Sequence, residues 1–260
     1  MKKHNILLKV ITGLVYFFLW VPVLVVVIFS FNDSKFGVVW KKFTFKWYKT
    51  MLDNAALQDS LTRSLIVSLS VVTFSCIIGT LGAYGFYKLN FRFKKLLRIG
   101  MLLPIVLPGV VMGGSLLVYF QRIAHIPLGY ISIILAQLSW AAPLALFIIL
   151  GRMQRIDFAW EEAAQDLGAS KVRTFLRITL PLLLPAIGAA ALVVFPWSFD
   201  DFVITYFVSG VGNATLPIFI FSQLRFGASP MINCIGTILM FISISLLLLS
   251  MALENKNKKI

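Results

Sequence analysis

Two adjacent carboxylates, Asp200 and Asp201, stand inside an apolar run that extends from Leu182 to roughly Val208. Phe195, Trp197, Phe199, Phe202, Tyr206 and Phe207 surround them, and carboxylates beside aromatic faces are the groups that receive an organic cation. Ionisable groups within a hydrophobic span mark substrate paths by default. A plainer reading stands beside this one: both acids mark the outer end of a helix, where charge costs little. At 1.5 Å per residue from Leu182, Asp200 falls roughly 27 Å along the helix, toward its far end. Successive helical residues point about 100° apart. One carboxylate is therefore expected to face the path and the other to meet a neighbouring helix or subunit.

A second polar cluster lies between two apolar runs, in RMQRIDFAWEEAAQDLGASKVRTFLRITLP. It is about 30 residues long, where a connector is usually a few. Asp157 can cap a helix that carries Glu161 and Glu162 in its positive first turn, and Gly168 can end that helix in a left-handed conformation. Ser170 can cap a second short helix, Lys171 to Arg177, before Pro181 starts the next span. Trp160, Ala163, Ala164 and Leu167 fall on one face at helical spacing. The small alanines would let another protein approach closely, and an amphipathic helix resting on the bilayer is the alternative.

Other chemistry is poorly represented. The chain has no GxxxxGK[ST] phosphate loop, no HExxH and no GxSxG, and His4 and His125 are its only histidines. No catalytic residue, metal site or cofactor is expected in this chain, so energy for any pumping must come from another subunit. Cys76 and Cys234 have no metal-like spacing and are assigned to packing.

The elements that position these residues are membrane spans. The chain is 59% hydrophobic and 13% charged, against roughly 45 to 50% and about 25% in soluble domains. Six runs are long enough to cross a hydrocarbon core: Val10 to Phe31, Ser64 to Tyr87, Ile99 to Phe120, Gly129 to Gly151, Leu182 to Val208, and Met231 to Leu253. The first is too long for a signal peptide and lacks a small-residue cleavage site, so it reads as an uncleaved helix. With both termini cytoplasmic, 16 Lys and Arg lie in inner segments and 8 in outer ones, which favours that orientation. The net charge of +14 is thereby assigned to anionic lipid headgroups and not to nucleic acid.

Two further segments stand out. Residues 32–63 interleave Phe36, Trp40, Phe43, Phe45, Trp47 and Tyr48 with five lysines, as suits the headgroup layer or the docking of an external partner. The third run carries Pro104, Pro108, Gly109, Gly113 and Gly114. A kinked or locally unwound helix is expected there, with Gly109 and Gly113 permitting close helix contact. Broken helices often line transport paths.

Glu162, Ala163, Ala164, Gly168, Ile178, Leu180 and Pro181 reproduce the EAA-x3-G-x9-I-x-LP pattern, and on that pattern the chain resembles permease subunits of binding-protein-dependent ABC importers. SFNDSKFG at Ser30 to Gly37, KWY at Lys46 to Tyr48, FDDFV at Phe199 to Val203 and SPMIN at Ser229 to Asn233 extend the resemblance, over nearly the whole chain, to the second permease subunits of spermidine/putrescine importers. The resemblance implies an all-α, six-helix permease bundle of the type I importer (MetI-like) kind in a bacterial inner membrane. Residues 1–260 would form one transmembrane domain, with residues 158–181 as its coupling loop. In that loop Glu162, Ala163, Ala164 and Gly168 would meet the ATPase subunit.

The implied partners are a dimer of ATPase subunits holding ATP and Mg, a sister permease, an external polyamine-binding protein and membrane lipid. Trp197, Phe199, Asp200, Asp201 and Tyr206 would line the polyamine path. One position departs from the family, whose members often carry an acid directly after the second proline of the third helix. Gly109 follows Pro108 here, so either the sister permease supplies that ligand or the cargo differs in charge or length. The same machine carrying an anion or a chelated metal is the alternative, and a self-sufficient channel or secondary transporter a more distant one.

Overall fold

The structure is a computed structural model that describes residues 2–34, 39–157, 159–225 and 229–257, with side chains described from 8 to 245 within those ranges. Lys35, Phe36 and Gly37 of the outer segment and Phe158 of the loop lie outside the described residues. The chain forms α1 (Lys2–Ser30), α2 (Lys46–Leu52), α3 (Ala55–Lys88), α4 (Lys94–Val106) and α5 (Gly109–Val118), which continues as a π turn, Tyr119–Ile123. Then follow α6 (Tyr130–Met153), α7 (Ala159–Asp166), α8 (Lys171–Thr174), a second π turn (Phe175–Thr179), α9 (Leu180–Phe199), α10 (Val203–Val208), α11 (Leu216–Arg225) and α12 (Pro230–Asn257).

Among the described residues, four helices are long and apolar enough to cross a bilayer, and five if α4 and the helix begun by α5 form one broken span. The break is a bend of 103°. It follows from Pro108, because the residue before a proline is pushed out of the helical region, and Leu107 is extended with ψ 139°. The expected kink is thus present. α12 coincides with the sixth expected run, although its described apolar stretch, Pro230–Ser245, is shorter than a span.

Three boundaries differ from expectation. The second long helix starts at Ala55, not Ser64, so the end of the supposed interfacial segment belongs to α3. The helix expected over Lys171 to Arg177 does not stop before Pro181. It runs into α9 through the π turn, closed by Leu180 N–H donating to Phe175 O. Pro181 has no N–H to donate, and the wider turn before it takes up that mismatch. Finally, the run Leu182 to Val208 is two helices, not one. α9 ends at Phe199, and the Asp201 carboxylate accepts from the backbone N–H of Thr205 (2.9 Å). That side chain competes with the helical ladder and starts α10 afresh.

The chain falls into two compact units, Met1–Gln58 with Phe219–Ile260, and Asp59–Ile218. In the first, α1 and α12 approach closely, and Cys234 Sγ donates to Ser30 O at 3.3 Å. Buried Asn32 organises the segment after α1, donating to Val39 O (2.8 Å) and accepting from Lys41 N–H (2.9 Å). Phe31, Phe43, Phe45 and Tyr48 cluster beside it. In the second unit α6 is the axis, with buried residues spread around its circumference from Ser132 to Met153, as befits a helix enclosed by others. Val67, Val71, Ile133, Ala136, Val194 and Val208 pack at one end of its core, and Ala83, Ala145, Ile149, Met153, Leu183 and Ala190 at the other.

The small residues of the third run serve the contact expected of them. A Cβ on Gly113 would lie 2.6 Å from the Phe207 ring and 3.3 Å from Ile204 Cα, and one on Gly109 would lie 3.3 Å from Val203. The chain after Asp201 therefore packs directly on the half-helix after Pro108.

Candidate functional site

The second unit holds both polar clusters, one at each end of α9. At the C-terminal end, Asp200 caps α9 with φ −95° and ψ 3° and is exposed. Asp201 is half-buried and held from three sides. Its Oδ2 accepts from Thr205 N–H, from the Thr205 hydroxyl at 2.6 Å, and from Gln137 Nε2 at 3.4 Å.

Gln137 is the residue that sequence reasoning missed. It is buried on α6, donates to Thr205 Oγ1 (2.9 Å), and accepts through Oε1 from the Ser198 hydroxyl. One amide thus ties α6, α9 and α10 together behind the acid pair. The signal was available: Gln137 is the one amide side chain in the apolar run Gly129 to Gly151, and a buried amide must find partners.

A recess of about 500 Å³ opens between Pro196, Trp197, Asp200, Asp201, Phe202 and Val203. A smaller one, about 160 Å³, lies between Trp197, Trp140, Asp201, Ile204 and the bend residues Pro104, Ile105 and Leu107. Trp197 and Asp201 border both, and Trp197 lies 5.8 Å from Trp140. Of the five residues expected at the path, Trp197, Asp200 and Asp201 are brought together. Phe199 stacks on Phe195 (5.8 Å) and Tyr206 lies against Phe202 (5.4 Å), and neither lines either recess. Two carboxylates and an indole face at one opening can take an ammonium group by charge and by its attraction to the ring. Gly109 packs on Val203, which places the departure from the family pattern beside this recess.

At the other end, Asp157 Oδ1 accepts from Ala159 N–H at 3.0 Å and opens α7. Gly168 closes it with φ +86°. Gly168 N–H donates to Gln165 O and Ala169 N–H to Ala164 O, the paired bonds of a Schellman cap. Ser170 then accepts from Arg173 N–H at 3.4 Å and opens α8. Trp160, Glu162, Ala163 and Leu167 are exposed and Ala164 is half-buried. Leu167 is 90% exposed, so among the described residues this face is left open. Glu161 behaves unlike its neighbour: it is buried, 2.7 Å from Lys88 Nζ, and accepts from the Thr179 hydroxyl.

Residues 71–257 match the family described as binding-protein-dependent transport system inner membrane component. The spermidine/putrescine transport system permease protein PotC of Haemophilus influenzae is 35% identical over 243 residues, covering 94% of each chain. The putrescine transport system permease protein PotI of Escherichia coli is 36% identical over 237 residues, covering 89% of this chain and 84% of that protein. Among solved structures, a bacterial ABC transporter involved in the import of the acidic polysaccharide alginate superposes with a TM-score of 0.73 at 14% identity, covering 98% of this chain and 96% of that one. The MetNI methionine ABC transporter superposes with a TM-score of 0.58 at 15% identity, covering 80% and 95%.

Proposed function

The chain belongs to the family of inner membrane components of binding-protein-dependent transport systems, and from that premise we propose that it is a permease subunit of a polyamine importer. In this reading it forms the path together with a sister permease. An external binding protein delivers the cargo, and a dimer of ATPase subunits carrying ATP and Mg drives the cycle.

The observation that supports the cargo is the recess at the broken end of α9, where Asp200 and Asp201 border one opening with Trp197. A polyamine is a flexible hydrocarbon bearing two or more ammonium groups, and it needs charge and aromatic surface and little else. An anion would be repelled at the same place. The relatives named as spermidine/putrescine and putrescine permeases agree with this chemistry.

The coupling surface is the exposed face of α7, with Glu162, Ala163, Ala164 and Gly168 meeting the ATPase subunit. Gly168 acts there through the turn it permits. α9 connects the two clusters as a nearly continuous helix, so closure of the ATPase subunits can reach the recess.

The test is uptake into proteoliposomes holding this chain, its sister permease, its ATPase subunits and its binding protein. ATP-dependent accumulation of labelled spermidine or putrescine is expected, with unlabelled polyamine competing and anions or chelated metals not competing. Accumulation of a different solute would keep the machine and overturn the cargo. Uptake by this chain alone, driven by an ion gradient, would overturn both.

A further inference from the structure

We infer that Glu161 is the residue that locks α7 to the transmembrane helices, so that a push on α7 is delivered to α3 and α9 together instead of being absorbed by the loop. This rests on the coupling reading and adds the route by which motion leaves the loop. Three elements meet at one buried carboxylate. Oε2 lies 2.7 Å from Nζ of Lys88, the last residue of α3. Oε1 accepts from the hydroxyl of Thr179, the last residue of the π turn that leads into α9. One turn before Lys88, Tyr84 packs edge-on against Phe175, the first residue of that π turn, at 4.8 Å and 63°.

Contacts made only by apolar side chains are non-directional and allow sliding. A buried carboxylate does not, because parting from its cation leaves an uncompensated charge in a poor solvent for it. Exposure shows which partner depends on the other. The Glu161 side chain is 3% exposed and that of Lys88 32%, so the ammonium keeps some water while the carboxylate has none to fall back on. Glu162, one residue on, points about 100° away and is exposed. The two acids thus divide the work: Glu162 faces a partner and Glu161 faces the bundle.

From Thr179 the helix continues for the 20 residues of α9 and ends at Asp200. At 1.5 Å per residue that is a lever of about 30 Å between the joint and the recess.

The experiment uses the whole importer in proteoliposomes and reads cargo moved per ATP hydrolysed. A cross-link from Leu167→Cys to the ATPase subunit is expected first, and its absence overturns the coupling reading itself. With the cross-link in place, Glu161→Gln keeps an acceptor for Thr179 and removes the charge. We expect unchanged co-purification of the ATPase subunit, unchanged basal hydrolysis and about a ten-fold loss of transport per ATP. Lys88→Met is expected to do the same, and Thr179→Val to cause a smaller loss of the same ratio. A normal ratio in either charge variant overturns the joint while leaving α7 as a docking helix. If the charge variants do not accumulate in the membrane, Thr179→Val carries the test, and a normal ratio there overturns the inference.

Discussion

Replacing Asp201 by Asn should lower polyamine uptake far more than replacing Asp200 by Asn. Asn keeps an oxygen that can accept from Thr205 N–H and from the Thr205 hydroxyl, the two short bonds that start α10. The backbone break therefore survives and only the charge is lost. An ammonium group about 4 Å from a carboxylate gains about 4 kcal/mol at an effective dielectric constant of about 20, and about 1 kcal/mol in water.

Asp201 is half-buried and exposed Asp200 is close to the aqueous limit. The Asp201 charge is already shared with the Thr205 and Gln137 donors, which removes roughly half of its value and leaves about 2 kcal/mol. That corresponds to a loss of ten- to a hundred-fold at limiting cargo, against about five-fold or less for Asp200→Asn. The assay is the initial rate of labelled spermidine or putrescine uptake below saturation, in cells lacking other polyamine importers and normalised to the amount of chain in the membrane. Normal uptake in both variants would remove the acids from the path. A larger loss in Asp200→Asn would show that exposure, not the half-buried position, decides cargo affinity.

Two structural predictions accompany it. Gly113→Val places methyl groups where the Phe207 ring already stands 2.6 Å from a bare Cβ position, and overpacking of this kind costs about 1 to 3 kcal/mol. A lower thermal midpoint of the detergent-solubilised complex is expected, and an unchanged midpoint would mean that α5 and α10 do not approach as described. Gln137→Leu strands the Ser198 hydroxyl and removes one donor from Asp201. A buried polar group left unpaired costs about 1 to 3 kcal/mol, so a similar drop in midpoint is expected together with weaker polyamine uptake. Lost stability with normal uptake would confine Gln137 to packing.

Much of the loop was legible because it is governed by local rules. Asp157 and Ser170 accept from backbone N–H groups two or three residues away, and Gly168 supplies a positive φ that other residues resist, so residue type and spacing suffice to place the caps. The bend at Pro108 was legible for the same reason. Glu161 was not. In sequence it is one of two acids in a helical first turn, and what separates it from Glu162 is a lysine 73 positions earlier and a threonine 18 positions later. Nothing local records that meeting.

The acid pair shows the same division. Composition and the absence of charge elsewhere in the runs made this a membrane chain, and they singled out Asp200 and Asp201 together with their aromatic neighbours. The sequence by itself also carried the EAA pattern, hence the family. It read the run from Leu182 to Val208 as one span, since the run carries no charge but the two acids. The structure ends the helix at Phe199, where Asp201 accepts from Thr205 four residues on, and only the packing of α6 brings the distant donor Gln137 to that acid. The same contacts leave Asp200 at the open side of the recess and hold Asp201 behind it. Local propensity decides where a helix can form, whereas the orientation of one carboxylate against another depends on which distant hydrogen-bond donors the packed helices deliver.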